Sequence, residues 1–299
     1  MADKIWQGTT GDINAAGNWS GAAVPVDGDF LHFTGDSVVD VDGSTVPAGF
    51  DAIGGFFVHP DYTGTIAASG SKLIFATIDT IRFESQGGRA FLQTSGGASA
   101  VNDVVINTPA GLADMFEING HVDRFQIVGT TGSCTITATA NGPIEILMVD
   151  SPNCTLTIGA NITTIHRIRM NLGRIVNNSL VTATKNNAGA VAQDAAVIIT
   201  GGLLEHKAGA VTNLFLAGSG VVEYTSGGTI TDFFGMGPGS LFDGRKNRSS
   251  SITLTDAQIW PGCTMLLKNA LDSFVLPTNG VKNFGGVLDL ETGRGVKKE

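Results

Sequence analysis

The charged residues best suited to acid–base chemistry are Arg124, Glu145 and Arg167, with Arg169 beside them and Asp150 one strand end away. Cleavage of a polysaccharide uses carboxylates, or acids with Arg or Lys, grouped on one exposed surface. In the strand register of the internal repeat, Glu145 lies between two arginines, and opposite charges on neighbouring strands attract by about 0.2–1 kcal/mol per pair. The pattern therefore favours an outward stabilising ladder over an active site.

Two pairs of aspartates have a spacing that a calcium ion could use. In each of Asp27–Asp29 and Asp40–Asp42, two carboxylates flank one residue and could supply oxygen ligands. The further acids that a calcium loop needs at fixed offsets, such as a closing glutamate, are missing. Asp-Gly sequences also form tight turns, and the turn is the favoured interpretation of both pairs.

Motifs for a nucleophile or a nucleotide are absent from the sequence. The chain contains no G-x-S-x-G, no H-E-x-x-H and no P-loop. The glycine-rich run Gly235–Gly239 is not followed by the Lys-Ser/Thr pair that a phosphate loop requires. We therefore predict no catalytic, cofactor or metal site, and a protein that is not an enzyme.

An internal repeat gives the clearest structural signal. Residues 133–141 and 153–161 are near copies twenty positions apart, and in both copies apolar residues alternate with threonine. A period of about 20 residues with strand alternation is typical of one turn of a parallel β-helix, in which each turn buries its apolar side chains inside the coil. This register predicts Cys134 directly above Cys154, about 4.8 Å away, with both thiols reduced in the core although a disulfide would fit.

The register extends to strands on both sides of the repeat. It predicts an interior column of Phe125, Ile146 and Ile168, with the alternate residues outside. The same alternation points His166 inward, as a core histidine with a hydrogen-bond partner rather than a metal ligand. Short apolar strands separated by glycines continue the coil through residues 214–243.

These patterns predict an all-β fold, a single-stranded right-handed parallel β-helix that covers residues 35–290. Residues 1–34 form an N-terminal capping segment, and residues 291–299 form a flexible tail. The polar stretch 177–194, which is rich in Asn and Ala, is interpreted as a loop inserted into one turn. Helix is expected to be minor and confined to part of residues 101–115.

Composition limits the partners that the chain can have. The 27 acidic and 18 basic residues leave a net charge of −9, which disfavours nucleic acid because its phosphates need a basic face. Charged residues make up 15% of the chain against a usual value of about 25%, so the surface suits packing against other subunits. No secretory signal and no long apolar run is seen, so we expect synthesis in a cytoplasm and no membrane association.

The N-terminal segment carries a recognisable set of residues: Trp6-Gln-Gly8, Gly17-Asn18-Trp19-Ser20, Pro25 and Gly28-Asp29. The set resembles the W-x-G…NWS…P…GD cap in front of many Gly-rich parallel β-helices, as in bacteriophage virion proteins and autotransporter-like adhesins. The two tryptophans are large apolar plates suited to covering an exposed terminal turn. The resemblance covers about thirty of 299 residues, and it bears on architecture and source more than on role.

Together, the resemblance and the composition lead to two hypotheses of different classes. The first is a structural bacteriophage virion protein, a head decoration or cement protein that stabilises a capsid by protein–protein contacts. Its partners would be a major capsid or other virion protein and further copies of itself, as a homotrimer. It would be made in the host cytoplasm and then reside in the virion, with no cofactor. The alternative is a tail-spike-like protein or surface adhesin that binds or cleaves host polysaccharide.

Overall fold

The computed structural model describes residues 1–96, 100–108, 114–129, 131–137, 142–159, 161–177, 182–183, 197–207, 209–225, 228–245, 252–267, 274–275 and 280–289. They belong to two compact units, Met1–Ile144 with Asp150–Asn161, and Glu145–Val149 with Ile162–Glu299. The predicted tail and most of the predicted inserted loop lie outside the described residues. Within that loop only its first residue, Asn177, and the strand Thr182–Ala183 are described.

Nearly all regular structure in the described residues is β-strand, with two short 3-10 helices at Ala16–Asn18 and Ser20–Ala22. In chain order the first strands are β1 (Asp3–Ile5), β2 (Phe30–Phe33), β3 (Ala52–Val58), β4 (Thr65–Ile66), β5 (Leu73–Phe75), β6 (Thr77–Phe83), β7 (Arg89–Thr94), β8 (Val101–Ile106), β9 (Phe116–Asn119), β10 (Val122–Val128), β11 (Thr131–Thr137), β12 (Gly142–Asp150) and β13 (Asn153–Ile158). The remaining strands are β14 (Ile162–Met170), β15 (Arg174–Asn177), β16 (Thr182–Ala183), β17 (Val197–Ile199), β18 (Leu203–His206), β19 (Val211–Leu216), β20 (Val221–Tyr224), β21 (Gly228–Gly235), β22 (Leu241–Asp243), β23 (Ile252–Ile259), β24 (Thr264–Leu266), β25 (Phe274–Val275), β26 (Lys282–Asn283) and β27 (Val287–Asp289).

In each unit these strands form two parallel sheets, sheet A and sheet B. In the first unit, sheet A contains, in order, β1, β2, β3, β6, β8 and β10. Sheet B contains β4 with β5, then β7, β9, β11 and β13. In the second unit, sheet A contains the Glu145–Val149 part of β12, then β14, β16 with β17, β19, β21, β23 and β25 with β26. Sheet B contains β15, β18, β20, β22, β24 and β27. From β3 onward the chain visits the two sheets alternately, which is the path of a coil. The predicted all-β parallel solenoid is confirmed.

Apolar side chains between the two sheets form the core of each unit. In most strands of sheet B the alternation is simple, as in β9 and β13, where every second residue is buried. Regular alternation fits parallel strands whose one face is covered by the opposite sheet and whose other face meets water. The strand pattern between residues 214 and 243 is also confirmed, by β19 to β22.

Sheet A departs from simple alternation at one repeated position. Most of its longer strands carry two successive outward residues between buried ones, and we call this pair the outward doublet. The doublets are Asp79–Thr80, Asn102–Asp103, Asp123–Arg124, Glu145–Ile146, His166–Arg167, Thr212–Asn213, Thr231–Asp232 and Thr255–Asp256. Each doublet shifts the inward positions by one residue. The predicted interior residue Ile146 is therefore only partly buried, while Leu147 and Val149 fill the core.

The predicted stacking of the two cysteines is wrong by two residues. Cys134 pairs with Leu156, and Cys154 pairs with Gly132. Both cysteines still point into the core of the first unit as free thiols. A two-residue offset separates their Cα atoms by about 8 Å, beyond the disulfide window. The neighbouring Cys154 thiol and burial raise the pKa of Cys134.

The N-terminal segment packs tightly against the first strands of sheet A. Trp6 and Trp19 are 0% and 1% exposed, and their rings meet edge to face with centroids 5.2 Å apart. Both rings also contact Phe33 at the end of β2. The minor helix expected within residues 101–115 is absent from its described part, because Val101–Ile106 is strand β8.

Candidate functional surfaces

The predicted charge ladder has different partners in the structure. Nε of Arg124 lies 3.2 Å from Oδ1 of Asp103, within the doublet row of the first unit. In the second unit, Oε2 of Glu145 lies 2.6 Å from Nδ1 of His166. His166 therefore faces outward, and its predicted inward position is wrong because the doublet of β14 moves it to the surface. Charges in this row pair with one another, as a stabilising ladder requires.

In both aspartate pairs considered for calcium, a carboxylate accepts hydrogen bonds from backbone N–H groups. The carboxylate of Asp29 is 2% exposed and accepts hydrogen bonds from the N–H groups of Ala2 and Val26, at 2.7 and 3.1 Å. Oδ1 of Asp40 accepts the N–H of Thr65 at 2.6 Å. These bonds are typical of aspartates that stabilise turns. Within the described part of the chain, no group of three or more His, Cys, Asp or Glu side chains is placed to hold a metal ion.

A groove of about 430 Å³ opens on the outer face of sheet A in the first unit, and we call it the outer groove. Strand β3 carries glycines, Gly54 and Gly55, at the place of the outward doublet. A Cβ atom on Gly55 would lie 2.5 Å from the ring of Phe57 and 2.8 Å from that of Phe30, so these rings use the space that side chains would fill. The groove is lined by Phe30, His32, Gly54, Phe57, Val58, His59, Asp79, Thr80, Arg82 and Glu84.

Three polar side chains form a hydrogen-bonded chain beside the outer groove. Nε2 of His32 lies 3.1 Å from Oδ1 of Asp3, and Nδ1 of His32 lies 3.0 Å from Nε2 of His59. Because a carboxylate only accepts, His32 donates from Nε2 when neutral and must then accept at Nδ1 from the Nε2–H of His59. His59 keeps a lone pair on Nδ1 in this arrangement.

The second unit carries four aromatic rings on the outer face of sheet A, and we call them the aromatic wall. Phe215 and Phe234 are 5.7 Å apart with planes 13° from parallel, and Trp260 and Phe284 are 4.6 Å apart at 26°. Phe234 and Trp260, 6.0 Å apart, join the two pairs. Trp260 is 37% and Phe284 50% exposed. In each stacked pair, one face of each ring is therefore directed at the neighbouring ring.

A polar row runs next to the aromatic wall. Asp232 of β21 is the register partner of Asn213 in β19 and of Asp256 in β23. Partial burial and the neighbouring Asp256 carboxylate raise the pKa of Asp232. Nζ of Lys282 lies 3.3 Å from Oδ1 of Asp256 and supplies an opposing charge. The sequence pattern did not show this acid pair, because the doublets that align it were not recognised.

Comparison with known proteins finds no match: no protein-family model, no curated protein and no solved structure is similar to the chain. Among the described residues, no helix is long and apolar enough to cross a membrane.

Proposed function

We infer that the chain is a non-enzymatic assembly protein of a bacteriophage-like particle, a decoration or cement protein that works as a homo-oligomer, a trimer, docked on a proteinaceous shell. The aromatic wall is the observation that carries the proposal. Contiguous exposed apolar surface marks interaction sites, and aromatic residues are enriched where proteins meet. The resemblance of the N-terminal segment to virion protein caps and the thinly charged composition also support it.

The orientation of the rings favours a protein as the occupant of the aromatic wall. A sugar stacks on the open face of a ring, whereas in the wall ring faces are directed at neighbouring rings. Ring edges and the gaps between them suit interdigitating side chains of another polypeptide. The adjacent row of Asp232, Asp256 and Lys282 would form a polar rim, with both signs of charge available for pairing.

The charge pairs of the doublet row argue for the same class of function. Asp103 and Arg124 form an ion pair at the surface, and the Glu145 carboxylate is hydrogen-bonded to His166. General acid–base catalysis needs a group that is free to take up or release a proton at the substrate. Mutually paired charges on an exposed sheet instead stabilise the fold, which fits a protein that works by contact.

The oligomeric state and shell binding of the purified chain test this proposal. We expect light scattering to give a mass above that of a monomer, and replacement of both Trp260 and Phe284 by Ser to reduce self-association or binding to shells at least tenfold. A matched control is Val26→Ser, which changes an apolar residue that is 55% exposed in the first unit. A stable monomer that ignores shells, or equal behaviour of the wall and control variants, would contradict the proposal.

A further inference from the structure

We propose that the outer groove binds a short stretch of an uncharged oligosaccharide, a function that goes beyond assembly and uses a different surface. The groove of about 430 Å³ lies in the size range of small-ligand sites, which starts at roughly 300 Å³. Such sites combine aromatic or apolar surface with a few polar groups that fix the ligand. The outer groove has both components.

The shape of the groove comes from missing side chains. Outward doublets elsewhere in sheet A carry larger side chains, but in β3 the doublet is Gly54 and Gly55. The rings of Phe30 and Phe57 lean over these glycines, with centroids 6.1 Å apart. Both rings are only partly buried. Phe57 also stacks on His32, with ring centroids 5.0 Å apart, so the rings present their partly exposed edges beside the depression. The C–H groups of a sugar can lie in the depression against these edges.

Hydrogen-bonding groups of both kinds surround this apolar surface. Arg82 is exposed, and Glu84, the residue that follows β6, is partly buried. Neither makes an ion pair with another residue in the part of the chain that the structure describes. Asp79 accepts a hydrogen bond from Asn102 and keeps further acceptor capacity, and His59 retains a lone pair. A ligand with many hydroxyl groups, which both donate and accept, can use this mixture.

The same lining disfavours other classes of ligand. A phosphate or another compact anion would meet the carboxylates of Asp79 and Glu84 as well as the guanidinium of Arg82. A purely apolar ligand would cover these charged groups without satisfying them, which costs binding free energy. Uncharged, polyhydroxylated molecules avoid both penalties.

Calorimetric titration with neutral hexasaccharides tests the proposal on the full chain. The probes are malto-, cello-, laminari- and xylohexaose, with inorganic phosphate and oligogalacturonate as anionic probes. We expect at least one neutral hexasaccharide to bind, and Arg82→Ala and Phe57→Ala to weaken that binding at least tenfold. Arg124→Ala is the matched control, because it removes an outward arginine of the same sheet outside the groove and should leave affinity unchanged.

Thermal melts of each variant confirm that the compared proteins are folded. Three results would overturn the proposal: no neutral hexasaccharide binds at millimolar concentration, the groove and control variants bind equally, or only the anionic probes bind. Self-association and shell binding are measured separately and depend on the aromatic wall, so either proposal can fail without the other.

Discussion

Nδ2 of Asn177 lies 3.1 Å from Nδ1 of His206 inside the second unit, and the amide donates to the ring. Nε2 of His206 lies 3.0 Å from the carbonyl oxygen of Gly209 and donates to it. The imidazole also stacks on Tyr224, with ring centroids 4.9 Å apart. Donation at Nε2 and acceptance at Nδ1 define one neutral tautomer. These two hydrogen bonds therefore hold His206 in its neutral form inside the second unit.

We predict that the chain loses stability in mild acid because His206 is buried in its neutral form. Burial lowers the pKa of His206 to about 4 from 6.5, although the hydrogen bond to Gly209 opposes the shift. Between these pH values the unfolded state binds a proton that the folded state does not. The stabilising contribution is complete above pH 6.5 and falls as the pH drops towards 4, by about 3 kcal/mol in total.

Urea unfolding at several pH values, for the parent and His206→Gln, checks this prediction. The glutamine variant should be less stable at pH 7 but should show a shallower loss of unfolding free energy between pH 6.5 and 4. The difference between the two slopes isolates His206 from carboxylates that titrate in the same range. Parallel slopes would show that His206 does not control the acid sensitivity.

We also predict that Trp19 is a major stabilising residue of the N-terminal segment. Its ring is 1% exposed, and its Nε1 donates to the carbonyl of Ile13 at 2.7 Å. Trp19→Ala should lower the free energy of unfolding by about 3–5 kcal/mol through lost burial and a cavity. Trp19→Phe, which loses the hydrogen bond and part of the ring volume but keeps an aromatic side chain, should cost less than Trp19→Ala.

Leu172→Ala serves as the control for Trp19, because it removes a large apolar side chain from a position that is 43% exposed and lies outside the aromatic wall. In chemical denaturation, Trp19→Ala should lower the free energy of unfolding far more than the control variant does. Similar losses at both positions would mean that Trp19 does not hold the N-terminal segment in place.

A third prediction concerns the close approach of two backbone segments at Gly43. A Cβ atom there would lie 1.8 Å from the carbonyl oxygen of Ser71, a contact that requires the backbone to move. Gly43→Ala should therefore lower the thermal midpoint by several degrees. In the neighbouring turn, Gly70→Ala meets no atom within 4 Å and should have little effect. Equal thermal midpoints for the two variants would show that the backbone at Gly43 lies further from the Ser71 carbonyl in solution.

The sequence predicted the parallel coil but not the register of its strands in full. Apolar residues at a period of about 20 recur because every turn must fill the same core. The outward doublets were missed because strict alternation was assumed, and a single extra outward residue moves the following side chains to the other face. Ile146 and His166 were misplaced for this reason. The two-residue error at the cysteines arose because the near copies are not aligned in the register of the sheet.

The surfaces were harder to predict than the fold. The outer groove depends on contacts between residues far apart in sequence, such as Asp3 with His32 and Phe30 with Gly55. None of these residues belongs to the repeat that revealed the coil. The glycine pair of β3 was the available signal, since two adjacent glycines within a strand mark a close approach or a missing surface. The aromatic wall required the register of four separate turns.

The last prediction concerns the hydrogen bond between Glu145 and His166, whose Oε2 and Nδ1 atoms are 2.6 Å apart at the surface. The Glu145 side chain is 50% exposed, so water and salt screen the attraction. Glu145→Ala should lower stability by about 1 kcal/mol or less. A double-mutant cycle with His166→Ala should give a coupling energy of the same size that shrinks in 1 M salt. Polysaccharide-release assays on the same variants separate a structural pair from a catalytic one. Loss of a measurable hydrolytic activity without loss of stability would identify Glu145 as part of an active site and refute the structural interpretation of this row.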